Sequence, residues 1–289
     1  MAISNSTTLN DLVGQIVSEE TQSAAYGSAV MRNLVTVKEV PLGAGSVVIP
    51  RFQKLAEVPL TEGTATTSLT WSSDGVTLTP VERGIYVQIS KRVLHADPFS
   101  DLAPYGQQLG RAIARGEDSG ILGIVSSGVW DSEVNEAGAA FTDAHFREAI
   151  AVLEAADAPK PYFAVMQPAT WAKIVNTYAD AATFASVGRG LAEGFAQGYP
   201  SLNGYVGSPY GIPTYISTVV TTNPLPSGPP INYYGSMFSR EAIGYAYMKD
   251  IGVDVFDNVT ARAFDVMAWR SAHESVLVSA YGVGLIDVI

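Results

Sequence analysis

The stretch Leu102-Ala-Pro-Tyr-Gly-Gln-Gln-Leu-Gly-Arg-Ala-Ile-Ala-Arg-Gly-Glu-Asp-Ser-Gly-Ile-Leu-Gly-Ile124 sets the architecture of this chain. Leu102, Tyr105, Leu109, Ala112, Ile113, Gly116, Gly120 and Ile124 recur at helical period, and Arg111, Arg115, Glu117 and Asp118 lie off that stripe. Asp97-Pro98 and Asp101 ahead of it are helix-start chemistry, because proline is tolerated in a first turn. The spacing predicts a helix of about 25 residues, twice the usual length of about 11–12. Glycines at 106, 110, 116, 120 and 123 interrupt it. Each lowers helix propensity by about 1 kcal/mol against alanine. A helix kept in spite of them should be compensated by the close approach of another backbone.

Ahead of this helix, residues 9–31 carry Leu12, Val13, Ile16, Val17, Ala24 and Met31 at loosely helical spacing, which predicts a helical N-terminal arm. Residues 34–55 predict two strands joined at Pro41–Gly45, and strand chemistry resumes where Ile85, Val87 and Ile89 alternate with Tyr86, Gln88 and Ser90. Between them, residues 55–80 are rich in Thr and Ser and poor in large apolar groups. β-branched Thr favours extended backbone, but little here can be buried. A hairpin projecting from the body, covered by a neighbour, satisfies both facts. Beyond the long helix, Thr142 caps an amphipathic helix carrying Phe146, Ala149, Ile150 and Leu153. Tyr162–Met166 is a short buried strand, and a helix with Pro168 near its start turns Trp171, Ile174, Val175 and Tyr178 inward. Between Glu193 and Arg240 there is no charged residue, and strands are expected at 214–220 and 231–236. The tail alternates as strands from Ala242 to residue 288. The fold class is α+β, with strand-rich ends around a helix-containing middle.

The 289 residues carry 17 Lys and Arg against 28 Asp and Glu, a net charge of -11, with only 16% charged residues and 47% hydrophobic ones. An average chain is about one quarter charged. No window approaches the roughly 18 consecutive apolar residues of a spanning helix, so no membrane is expected, and a surface this poor in charge is expected to be covered by other subunits. Met1–Thr8 shows neither a basic nor an apolar signal region, which makes a cytosolic product the expectation. The absence of cysteine excludes disulfides, thiol nucleophiles and thiolate metal sites. Basic residues are scattered, the densest run being Lys91-Arg92, which argues against a surface that grips nucleic acid.

Catalytic patterns are missing. His95, His145 and His273 form no His-Glu-x-x-His pair and are expected to be structural or surface groups. No Gly-x-Ser-x-Gly elbow and no phosphate loop occurs, and the glycines at 188–194 are off the dinucleotide spacing. Asp250, Asp254 and Asp257 lack the calcium-loop pattern. No cofactor and no metal is expected. A carboxylate pair for hydrolysis is invisible in sequence and stays open as an alternative of a different class.

The segment order is familiar: an N-terminal helix, Val30-Met-Arg-Asn-Leu-Val-Thr-Val, Gly45-Ser-Val-Val-Ile-Pro-Arg-Phe, Leu60-Thr-Glu-Gly-Thr, Val87-Gln-Ile-Ser-Lys-Arg-Val-Leu, the glycine-spotted helix and Ser279-Ala-Tyr-Gly-Val-Gly-Leu-Ile-Asp. It resembles the major capsid proteins of tailed bacteriophages, whose fold is shared with encapsulin shells. The resemblance implies an N-terminal arm at 1–45 and an extended loop with its flanking strands at 46–95. It implies a peripheral domain with a spine helix at 96–140, an axial domain at 141–258 and returning strands of the peripheral domain at 259–289. It further implies a virion protein made in the host cytoplasm. Copies would assemble as hexamers and pentamers into an icosahedral shell around double-stranded DNA, without sequence-specific binding. Scaffolding, portal and cement proteins would be its other partners. The alternative on the same fold is an encapsulin-type compartment. Inter-subunit charge partners are expected at Arg51, Lys54, Glu57 and Glu62 in the extended loop and at Arg111, Arg115 and Glu117 on the spine.

Overall fold

The computed structural model describes residues 6–41, 43–52, 73–92, 102–125, 129–135, 141–179, 205–218, 222–224 and 231–288. Among them is the long helix, Leu102–Val125. The N-terminal helix, Ser6–Ser28, lies along it. At Gly106 an added Cβ would come within 3.0 Å of the Val17 carbonyl oxygen, and at Gly110 within 2.3 Å of that of Thr21. These two glycines are therefore the close backbone approach that the sequence demanded. Gly120 is covered by the Glu274 side chain, whereas an added Cβ at Gly116 or Gly123 would meet nothing within 4 Å. Two of the five glycines have no packing reason inside the described protomer.

Both helices cover one face of a four-stranded sheet formed by β1 (Thr36–Glu39), β4 (Val81–Ser90), β11 (Ile243–Asn258) and β12 (Ala263–Val276), in the order β1-β11-β12-β4. Alternation places the side chains: Ile85, Val87 and Ile89 pack with Val17, Leu109 and Ile113, while Tyr86 and Gln88 are exposed on the far face. β11 and β12 form a long antiparallel hairpin, paired from Ile243↔Val276 to Asn258↔Ala263. β11 runs as one strand, with ladder irregularities between Tyr247 and Lys249 and between Lys249 and Gly252.

A second sheet is built on β10 (Ile231–Ser239). Beside it lie β13 (Gly282–Val288) and β5 (Glu133–Val134), and on its other side β6 (Tyr162–Met166), β8 (Thr214–Ile216) and β7 (Tyr205–Gly207). β9 (Thr222–Pro224) pairs with β10 as well. The helix Asp143–Ala155 starts at Thr142, whose backbone N–H donates to Nδ1 of His145 at 3.1 Å. It buries Phe146, Ala149 and Leu153 in a core with Met166, Ile174, Met237 and Leu285. Each such large side chain contributes about 1.5–3 kcal/mol by leaving water. The helix Pro168–Ala179 completes this unit. A further core, around Trp130, Phe238, Ile243 and Tyr245, joins the second sheet to the first.

The two strands expected within 34–55 are β1 and β2 (Val47–Phe52): β1 runs parallel to β11, and β2 pairs with β3 (Ser73–Leu78). β11 is an inner strand of the first sheet, while β13 belongs to the second. Long-range ladders, not chain order, assign these strands.

Candidate functional site

The surface groups that the sequence singled out fall into three places. Arg51 and Asp74 are register partners of the β2–β3 ladder, 2.6 Å apart, and Arg51 also donates to the Leu277 carbonyl at 2.8 Å. The guanidinium and the Gly75 N–H hold the Asp74 carboxyl below the usual carboxylate range. Arg51 thus fixes the base of the hairpin to the body. Lys54, Glu57 and Glu62 lie outside the described residues, as do His95 and residues 194–204, 219–221 and 225–230 of the charge-free stretch after Glu193. Arg111 and Arg115 are exposed on the long helix, with no ion-pair partner among the described residues.

Glu117 departs from the expectation of an exposed charge, being only 5% exposed inside the protomer. Burial raises its pKa, opposed by a hydrogen bond from the Tyr245 hydroxyl and by Arg270 and Arg32. Tyr245 is itself pushed up by burial, and Arg270 donates to its hydroxyl at 3.1 Å. Next to it, Asp118 accepts hydrogen bonds from the backbone N–H groups of Val30 (3.2 Å) and Met31 (3.0 Å). Burial pushes the Asp118 pKa up to about 6 in spite of these bonds. Arg32 pairs with Asp250 at 2.5 Å and lies over the Tyr247 ring, 4.8 Å from its centroid. This is a polar clasp that ties the end of the N-terminal helix to the long helix and to β11. Sequence reasoning missed the burial of Glu117 and Asp118; the one signal for Glu117 was its place four residues from both Ile113 and Ile121, on one ridge of the helix.

The remaining candidates have structural partners. His273 Nδ1 accepts from the Thr79 N–H at 2.9 Å. Asp250, Asp254 and Asp257 go to Arg32, Trp269 and Lys91, three separate places, and among the described residues no group of acidic and histidine side chains could hold a metal. Sequence reasoning missed Asp287, which is fully buried. It accepts from the Phe141 N–H at 3.1 Å, the Thr170 hydroxyl at 2.8 Å and Lys173 at 2.7 Å. A lone carboxylate in an apolar strand was its signal.

A groove of about 640 Å³ lies between the long helix and the β4 side of the first sheet. Arg83, Ile85, Gly116, Gly123, Arg270 and Glu274 are among its lining groups. It gathers one carboxylate, not the pair that hydrolytic chemistry would need. No helix among the described residues is long and apolar enough to cross a membrane.

Comparison with solved structures shows the same fold in several shells. The capsid structure of the cyanophage P-SCSP1u superposes with a TM-score of 0.65 at 16% identity, covering 90% of this chain and 88% of that one. Mycobacterium phage Che8 gives 0.62 at 17% identity, with 89% and 90% covered. A virus-like particle from Pyrococcus furiosus gives 0.60 at 8% identity, with 94% and 98% covered. No curated protein matches the sequence. A family model described as phage capsid protein matches residues 74–284, well over half of the chain. The glycine-lined helix, the long strand hairpin and the two joined sheets are therefore those of a structural shell subunit, and the chain belongs to the phage capsid protein family.

Proposed function

We propose that copies of this chain assemble as hexamers and pentamers into the icosahedral head of a bacteriophage, enclosing double-stranded DNA without reading its sequence. Membership of the phage capsid protein family is the observation that carries the proposal. The charge of -11 supports it, since a lining without clustered cations lets a polyanion move instead of trapping it. Closed rings of heterologous contacts make many modest interfaces cooperative. The exposed Arg111 and Arg115 are proposed inter-subunit charges on the described surface, and Lys54, Glu57 and Glu62 in the extended loop complete the set. We assign the peripheral body to the long helix and the sheet containing β4, β11 and β12, and the axial body to the sheet built on β10. The protein would be made in the host cytoplasm, with scaffolding, portal and cement proteins as its further partners.

A second reading, an encapsulin-type compartment loaded with protein, is favoured by the likeness to the Pyrococcus furiosus virus-like particle. Light scattering and negative-stain imaging of the purified chain, over a salt and concentration series, test both. Closed shells or five- and six-membered rings are expected. Nucleic acid inside supports the phage head, protein cargo supports the compartment, and a monomer that hydrolyses a glycan or ester would refute both.

A further inference from the structure

Between the N-terminal helix and β1 the chain runs past two neighbouring acids of the long helix, the buried Glu117 and the half-buried Asp118. The charged and titratable groups facing them come from every element packed there. Arg32 and Tyr26 arrive from the N-terminal segment, Tyr245, Tyr247 and Asp250 from β11, and Arg270 from β12. Three carboxylates therefore share two guanidiniums, and one of these, Arg32, pairs with Asp250, which also accepts from the Tyr26 hydroxyl at 3.0 Å. Arg270 donates to the Tyr245 hydroxyl, and among the described residues no ion pair joins it to Glu117 or Asp118. Arg115, one turn before Asp118 on the same helix, is exposed and pairs with neither. Oε1 of Glu117 is buried with no hydrogen-bond partner. Two adjacent carboxylates shielded from water without a counter-ion of their own are costly when both are charged, and a single proton removes one charge and their repulsion.

We propose that Glu117 and Asp118 form a proton-operated latch on the segment Ala29–Leu34: one proton on the pair keeps that segment closed on the long helix, and its release to solvent lets the segment open and water reach both carboxylates. The latch is a property of the single chain and does not depend on the shell function. The ties around the segment show why it is the part that moves. Before it, the N-terminal helix is held separately, by the Thr21 hydroxyl donating to the Gly106 carbonyl at 3.2 Å and by Gln107 donating to Glu20 at 3.1 Å. After it, β1 is held by its ladder with β11. The segment itself is held by the Val30 and Met31 amides on Asp118, by Arg32 on Asp250, and by Met31 and Leu34 packed with Ile121 and Leu122. That apolar packing makes opening a transient minority state, and the acid pair sets how often it is visited. Burial holds the Glu117 carboxyl above its ordinary range and that of Asp118 at about 6, so opening grows as pH rises.

Hydrogen exchange of the full, unassembled chain tests the latch at single amides. After division by the intrinsic rate at each pH, exchange of the Val30 and Met31 amides should quicken about tenfold from pH 5 to pH 7, the factor that a shift from 3.8 to about 6 produces over that interval. Both should also exchange at least tenfold faster than the amides of Phe146–Leu153 and ignore low urea, because only a short segment opens. The double variant Glu117→Gln and Asp118→Asn should show no pH step, since neither new side chain ionises and both still accept hydrogen bonds. Wild-type rates unchanged between pH 5 and pH 7 would overturn the latch. So would Val30 and Met31 amides that exchange together with Phe146–Leu153 and with the same urea dependence, which would assign the step to global unfolding. A step that survives in the double variant would belong to another group and overturn the assignment as well. Should that variant fail to fold, the wild-type rates and their urea dependence decide.

Discussion

Replacing Asp118 by asparagine should change how stability depends on pH, with a sign opposite to that of an ordinary salt-bridged carboxylate. Asp118 sits in the clasp with Glu117, Arg270 and the Val30 and Met31 amides, and burial raises its pKa from 3.8 to about 6. A raised acid contributes stability below its unfolded pKa and loses it as pH rises through its folded value. The shift of 6 minus 3.8 corresponds to about 3 kcal/mol at 1.36 kcal/mol per unit, and incomplete burial reduces this to about 1–3 kcal/mol. Asp118→Asn keeps an acceptor for the two amides but never ionises. Between pH 4 and pH 7 the wild type should therefore lose about 1–3 kcal/mol relative to the variant, most of it between pH 4 and pH 6. Glu117, raised by burial as well, stays in both proteins, so the difference reports Asp118 together with its repulsion from Glu117. Urea unfolding of the two unassembled chains at four pH values measures it. A difference independent of pH, or one in which wild type gains as pH rises, would refute the account of the clasp.

Gly110→Ala should lose about 2 kcal/mol: a helix-propensity gain of about 1 kcal/mol is outweighed by pressing a methyl group against the Thr21 carbonyl, whereas Gly116→Ala should gain up to about 1 kcal/mol. Urea midpoints of the two variants, measured side by side, separate packing from propensity. Asp287→Ala should cost about 3 kcal/mol, because the Phe141 N–H and the Thr170 hydroxyl lose a common buried acceptor and Lys173 its counter-charge. The loss should appear as early hydrogen exchange in residues 141–179, with the β4–β12 pairing unaffected.

Local chemistry was legible wherever a single period governs the chain. The alternation through Ile85, Val87 and Ile89 gave β4 its buried face, Thr142 marked its helix start, and Tyr162–Met166 emerged as a strand with those bounds. The glycines of the long helix called for a close neighbour, and the N-terminal helix is that neighbour at Gly106 and Gly110. Pairing was not legible, because it depends on residues far apart in the chain: Thr36 lies beside Gly244 in a parallel ladder that nothing near either residue encodes. The same holds for the charges of the clasp. Glu117 looked like a surface group because its counterparts, Tyr245 and Arg270, come from strands more than a hundred residues later.

The β11–β12 hairpin has a mechanical consequence. Sixteen residues of β11 span about 50 Å at roughly 3.3 Å per residue, with one end in the core around Trp130 and the other under the N-terminal helix. A pull on the two ends of such a pair acts along its length. Its inter-strand hydrogen bonds then bear the load in shear, all together, instead of opening one by one from an end. The irregular ladder between Tyr247 and Gly252 interrupts that shared loading, and it sits where the Arg32–Asp250 pair fastens the strand to the N-terminal segment. The beam is stiff on either side of one braced joint, so a shell of these subunits should yield first by bending there.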